Sequence, residues 1–223
     1  MDSNKKIVND YLHWIGMKEY PCIGAKAALG LAHIRVMVAD HMACPADDGQ
    51  VLKFLYDFVD EYRNSSGPYH SAAVIFKHPA VEDETVFDQL FWQRLKSLAA
   101  LDRKTYTCDN RVDPDPLSPH FSFSLKEEAF FIIGIHPASG RPSRRFLYPT
   151  IVFNPHAEFE KLRKARRYEP MKQIVRKRDI EFSGSINPTL TDFGEASEVY
   201  QYSGVQHPPG WKCPLADNNE PGA

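Results

Sequence analysis

Apolar residues along this chain switch between two spacings, and the switches mark its elements. At Val51, Leu55, Phe58 and Tyr62 they recur every three or four positions, which puts them on one face of a helix over Asp47–Tyr62. The run Asn64-Ser-Ser-Gly-Pro68 ends it. Phe87, Leu90, Phe91, Leu95 and Leu98 repeat the pattern in a second helix over Asp83–Leu101, acidic at its start. HIRVMVA (33–39), SAAVIFK (71–77) and YPTIVF (148–153) have the alternation or apolar density of strands. FSFSL and AFFIIGI flank Lys126-Glu127-Glu128 and read as a hairpin. In RVDPDPLSP the prolines forbid regular structure. YLHWIGMKEYPC reads as a short helix and an extended turn, because Pro21 disfavours the helical region at Tyr20. Further helices are predicted from Pro155 to about Tyr168 and from about Pro170 to Ile180, ahead of forty turn-rich residues. The order predicts an α/β (mixed α+β) fold, a single domain over 1–215 with a mixed, partly antiparallel sheet flanked by helices. The tail ADNNEPGA, 216–223, reads as disordered.

With 223 residues and 43% hydrophobic positions the chain is large enough for one real core. No run approaches the roughly 20 apolar residues of a membrane span. MDSNKKIVND carries no apolar signal region, so a soluble, cytoplasmic protein with no membrane partner is expected. Cys22, Cys44, Cys108 and Cys213 form no CxxC pair, which argues against a zinc ribbon and for free thiols in a reducing compartment. Net charge is −2, but Arg141–Arg178 holds 12 basic residues against 3 acidic ones. This basic block in an acidic chain invites an anionic ligand or is simply a solvated helix face. It lacks the interleaved aromatic rings of a nucleic-acid platform, so no nucleic-acid partner is expected.

Three predicted strands run into a histidine: His78 after VIFK, His136 after IIGI and His156 after TIVFNP. Ligands of open sheets collect where strands end, so the three imidazoles are candidates for one site. Each is otherwise an ordinary surface residue. Asn154 suits an N-cap and Pro155 the first helical position, which puts His156 in the first helical turn. The helix dipole keeps an imidazole neutral there, and the neutral form binds metal. One axial histidine is enough for haem iron, whereas structural zinc needs four ligands. Arg141, Arg144 and Arg145 follow His136 closely and could pair with haem propionates or equally with a phosphate. No GxxxxGK[ST] loop supports a nucleotide. Cys22 and Cys213, each near a lysine, are alternative thiolate ligands or small buried residues. Glu195 and Glu198, beside Tyr200 and Tyr202, suit a cationic amine or guanidine, or are solvated turn residues.

YPCIGAKAALG near the start and WKCPL near the end resemble the paired FPC and CPF motifs of the YqcI/YcgG family. HPASGRPSRRF, FNPHAEFEKLR, IVRKRDIEFSGSINP and FGEASEVYQYSG resemble blocks of the branch that contains the haem-dependent N-hydroxylase of guanitoxin biosynthesis. Together they span about Asp10–Leu215; Tyr20 and Leu215 stand where the motifs have Phe. The resemblance implies a b-type haem, dioxygen, and hydroxylation of a nitrogen in a small cationic guanidine or amine. Electrons would come from a separate reductase or ferredoxin. A haem-binding sensor or carrier without turnover is the alternative. The expected iron ligand is His156, then His136, then His78, with Arg141, Arg144 and Arg145 on the propionates and Glu195 and Glu198 on the substrate. Histidine ligation predicts a ferrous–CO spectrum without a thiolate band. A homodimer is compatible with all of this.

Overall fold

The computed structural model describes residues 3–189, 191–208 and 210–216, so the predicted disordered tail beyond 216 lies outside the described residues. The elements are α1 (Ser3–Gly16), α2 (Ile23–Gly30), β1 (Ile34–His41), α3 (Asp48–Asn64), β2 (Ser71–His78), α4 (Glu84–Asp102), β3 (Phe123–Leu125), β4 (Glu128–Ile135), β5 (Thr150–Pro155), α5 (His156–Lys164), α6 (Tyr168–Ser183) and α7 (Val199–Tyr202). The five strands form one sheet in the order β1-β2-β5-β4-β3. β1 and β2 are parallel and joined through α3; every other pair is antiparallel. This is the predicted mixed, partly antiparallel sheet in an α+β fold.

β2 explains the layering. It is central, and its first six residues are buried on both faces. Side chains alternate across a strand, so Ala72, Val74 and Phe76 meet the core beneath α3, α4 and α7, while Ala73 and Ile75 meet the second core beneath α1 and α2. On the first face Gly134 lets α4 approach β4: a Cβ there would lie 2.9 Å from Phe87 Cε1. The β3–β4 turn uses Lys126 and Glu127 at φ 51° and 57°. Left-handed backbone costs about 1–2 kcal/mol per non-glycine residue. Contacts offset it: Arg63 donates to the carbonyls of both residues at 2.9 and 3.0 Å, and Asp102 accepts the Lys126 N–H at 3.0 Å.

One helix is new and one local expectation changes. Residues 23–30, for which the spacing predicts no element, form a helix; the Cys22 thiol caps it, accepting the Ala25 N–H at 3.4 Å. Asn154 is not an N-cap: it still belongs to β5, where its amide donates to Phe131 O and its oxygen accepts from Ser71 Oγ. Pro155 takes the cap position without a side-chain bond, and α5 opens at His156 itself.

Candidate functional site

Beneath the second face of the sheet lies a mostly apolar cavity of about 270 Å³. Tyr11 and Ile15 of α1 and Ala25 and Ala28 of α2 form one wall. Ile133, Ile135 and Val152 of the sheet form the floor, and Phe159, Leu162, Met171 and Val175 of α5 and α6 close the far side. Polar groups on the wall include Cys22, His70, Glu158, Asp192, Glu198 and the cations Arg163, Lys172 and Arg176.

Cys22 is brought here by the start of α2. Burial pushes its thiol above the ordinary value, while the N–H groups of Ala25 and Gly24 pull the other way. Those donors are the kind that stabilise a thiolate once a cation is bound to it. The loop carrying Cys22 is tied to α6 through Arg178, which donates to Tyr20 O at 2.9 Å and to Lys18 O. His70 stacks on His33 with ring centroids 4.2 Å apart, and its Nε2 lies 2.8 Å from Ser65 Oγ. Ser65 spends its own proton on Tyr62 O, so Nε2 carries the His70 proton. Its Nδ1 is left without a hydrogen bond, 3.7 Å from Glu158 Oε1. Burial and the His33 ring hold the His70 pKa below its ordinary value.

The cavity cations come from the basic block, but from its second half. Arg163 pairs with Glu160, and Lys172 with Glu169 and Asp192. Arg176 differs: its Nε is buried and has no hydrogen-bond partner among the described residues. An orphaned guanidinium N–H in a cavity wall fits an anionic guest.

Arg141, Arg144 and Arg145 do not line the cavity; internal acceptors occupy all three. Arg141 binds Asp179 at 2.5 Å, and Arg145 donates to Ser139 O at 2.7 Å and Gly140 O at 3.2 Å. Arg144 is buried and gives its protons to Tyr202 O and Gln201 O at 2.9 and 2.7 Å. The strand-end histidines do not converge either, and topology is the reason. β5 is antiparallel to both β2 and β4, so His78 and His136 leave the sheet at one end and His156 at the other. His78 is exposed. His156 is buried 4.5 Å from Phe193, with both ring nitrogens near other side chains. Among the described residues no group of three or more His, Cys, Asp and Glu could hold a metal ion. Of the two predicted carboxylates, Glu198 lines the cavity, whereas Glu195 is exposed and accepts the Asp192 N–H at 3.2 Å. Cys213 lies in the core on the opposite face of the sheet.

His136 has its own consequence. It is 1% exposed and stacked 4.1 Å from Phe87, and its Nδ1 is unbonded. Burial, then the Arg144 charge, push its pKa from 6.5 down to about 4. Below pH 6.5 the unfolded chain takes a proton that the native state refuses until about pH 4, so stability falls across that window. The loss from this group reaches about 3 kcal/mol. Urea unfolding as a function of pH should show a steeper decline for the parent than for His136→Leu.

Among the described residues no helix is long and apolar enough to cross a membrane. Comparison with known proteins gives relatives but no solved template. The YqcI/YcgG family model matches residues 11–216. The uncharacterized protein YqcI of Bacillus subtilis strain 168 is 30% identical over 197 residues, covering 83% of this chain and 75% of YqcI. The uncharacterized protein YcgG of the same strain is 26% identical over 185 residues, covering 78% and 71%. No solved structure matches. With the family model reaching from α1 through the WKCPL segment, the chain belongs to the YqcI/YcgG family.

Proposed function

We propose that the cavity binds haem b and that the protein is a monooxygenase converting an N–H of a small guanidine or amine substrate to N–OH. The observation that carries the reading is the combination in one cavity of an apolar lining, the Cys22 thiol that caps α2, and the Arg176 guanidinium, whose Nε has no hydrogen-bond partner among the described residues. Haem needs an apolar slot, one axial ligand and cations for its propionates. Cys22 would hold the iron, because α2 fixes the position of its sulfur in the cavity wall. Arg176 would pair with a propionate. When bound, a thiolate-ligated haem supplies activation of dioxygen. Electrons come from an external reductase or ferredoxin.

The chain's own residues bind, orient and exclude water. The sheet floor and the Phe159 and Leu162 side chains keep the reacting region apolar, which strengthens each polar contact made inside it. Glu198 and Asp192 present acceptors to a cationic nitrogen, and His70 offers a bare Nδ1 as a further acceptor. A haem sensor or carrier would share the slot and the ligand but needs no carboxylates in its wall.

Titration of the apo-protein with haemin tests the reading. It predicts a Soret band that saturates at one haem per chain, followed by N-hydroxylated product when an electron donor and an arginine-like substrate are supplied. Binding without product under any donor would favour the carrier, and absence of a saturable Soret band would remove both. Arg176→Ala should weaken haem affinity about tenfold to a hundredfold, the worth of one charge-assisted pair.

A further inference from the structure

The second half of the basic block builds an outer surface as well as a cavity wall. Tyr168, Met171, Lys172, Val175 and Arg176 of α6 recur at helical spacing and line the cavity. Ile174 and Ile180, 48% and 45% exposed, lie with exposed Lys177 on the outer side of the same helix. At the head of α6 the turn from α5 carries Lys164, Arg166 and Arg167, all exposed. Ion pairs within the fold absorb Lys161, Arg163 and Lys172. Among the described residues no acidic side chain pairs with Lys164, Arg166, Arg167 or Lys177. Glu181 is an exposed acid at the far end of this face.

The turn itself presents charge. It is a Schellman motif: the Arg167 N–H donates to Leu162 O and the Arg166 N–H to Arg163 O, both at 2.9 Å. Arg166 has φ 56°, the left-handed position that glycine fills with least strain. The chain puts a cation there instead, at the apex of the turn. Of 27 basic and 29 acidic residues, 12 and 3 lie in Arg141–Arg178, so the rest of the chain is acidic. An acidic partner is repelled elsewhere and drawn to this face. Nucleic acid needs rings for its bases to stack on. Tyr168 is already flanked by Arg163 Cζ and Lys172 Nζ, 4.5 and 5.5 Å from its ring centre. Exposed isoleucines beside cations suit a protein surface instead.

We infer that the α5–α6 turn and the outer face of α6 form the docking surface for an acidic electron-donor protein. The inference rests on the monooxygenase reading. Each conversion of N–H to N–OH inserts one oxygen atom of dioxygen, reduces the other to water, and takes up two electrons and two protons. A one-electron donor must visit twice per turnover, which favours a small, charged, quickly released contact over a large apolar one. From Arg167 to Lys177 the face runs about 15 Å along the helix. A donor seated on it is separated from the cavity by α6 alone, about 10 Å of protein.

A plant-type two-iron ferredoxin, strongly acidic, is the probe. Its binding to the haem-free full chain is measured by calorimetry. Binding should saturate at low salt and weaken at least about tenfold at about 0.5 M salt, where the Debye length is about 4 Å. The variant Lys164→Gln, Arg166→Gly, Arg167→Gln, Lys177→Gln removes four charges and keeps the turn, because glycine fits φ 56°. It should bind at least about tenfold more weakly. A control with Lys5→Gln, Lys53→Gln, Arg103→Gln and Lys104→Gln removes four exposed charges elsewhere and should bind like the parent. No saturable binding at low salt, or equal weakening in both variants, overturns the surface. So does tighter binding of a single-stranded oligonucleotide than of ferredoxin at the same salt. In haem-loaded protein, dithionite should reduce the parent and the α5–α6 variant at similar rates, whereas ferredoxin should reduce the variant at least about tenfold more slowly. Equal rates with ferredoxin also overturn the surface. A chain that takes up no haem but binds ferredoxin through these four residues fails the function reading and leaves the docking surface standing.

Discussion

Asp48→Ala should cost about 3–5 kcal/mol of stability, the usual penalty for stripping a buried charge of its partner. Arg94 and Asp48 are each 2% exposed and form a direct ion pair, and Ser97 also donates to the Asp48 carboxylate. Arg94 spends its other protons on the carbonyls of Met42, His41 and Cys44, at 3.0, 2.7 and 2.6 Å. The pair therefore ties α4 to the end of β1 and the start of α3. Removing the carboxylate leaves a guanidinium with carbonyl acceptors and no bonded counter-charge, only the field of Asp47. For a chain of this size the melting temperature should drop by roughly 10 °C. The double variant Asp48→Ala with Arg94→Met should recover most of the loss, because it leaves no charge behind. Thermal unfolding followed by circular dichroism checks both; a single variant as stable as the parent would mean the pair contributes nothing.

Arg144→Ala should be nearly as damaging, for a different reason. This guanidinium is buried, and burial lowers its pKa to about 10. It has no direct carboxylate partner among the described residues and is held by the carbonyls of Gln201 and Tyr202 in α7. Its loss leaves those carbonyls unsatisfied at about 1–3 kcal/mol each. Packing against Gly204 is equally close: at φ +87° that glycine would place a Cβ 2.8 Å from Arg144 Cδ. The expected result is a drop of about 3–4 kcal/mol, with haem affinity per folded molecule unchanged. Haem loss in a well-folded Arg144→Ala protein would return this arginine to the propionates.

Much of the fold is legible in the sequence because apolar periodicity and topology agree. The helices at Asp48–Asn64 and Glu84–Asp102 and the strand at Ser71–His78 come directly from spacing. The hairpin follows from its flanking runs, even though its turn is built from Lys126 and Glu127 rather than glycine. α2 is hidden by its composition: IGAKAALG has little amphipathic contrast and two glycines, and its signal is the cap at Cys22. The site is less legible. Strand-end histidines look convergent because strand direction is not written in local sequence; once β5 runs antiparallel to β2 and β4, His156 is separated from His78 and His136. The basic block draws the eye to its conspicuous cluster Arg141, Arg144 and Arg145, which internal carbonyls and Asp179 absorb. The Nε groups of Arg141, Arg176 and Arg178 are all without a hydrogen-bond partner among the described residues, and of these three only Arg176 lines the cavity, which nothing in the spacing shows. Glu198 stands out beside its tyrosines, but its hydrogen bond from Ser122 comes from more than seventy residues away in sequence.

The central claim is that Cys22 is the iron ligand in this cavity. The most direct measurement is the ferrous–CO spectrum of haem-loaded parent and Cys22→Ser proteins. Thiolate ligation gives the long-wavelength band that imidazole ligation lacks. The account predicts that band in the parent and its replacement by a histidine- or water-type spectrum in Cys22→Ser, with haem still held by Arg176 and the apolar walls. A parent spectrum without the band, or a band that survives in Cys22→Ser, contradicts it.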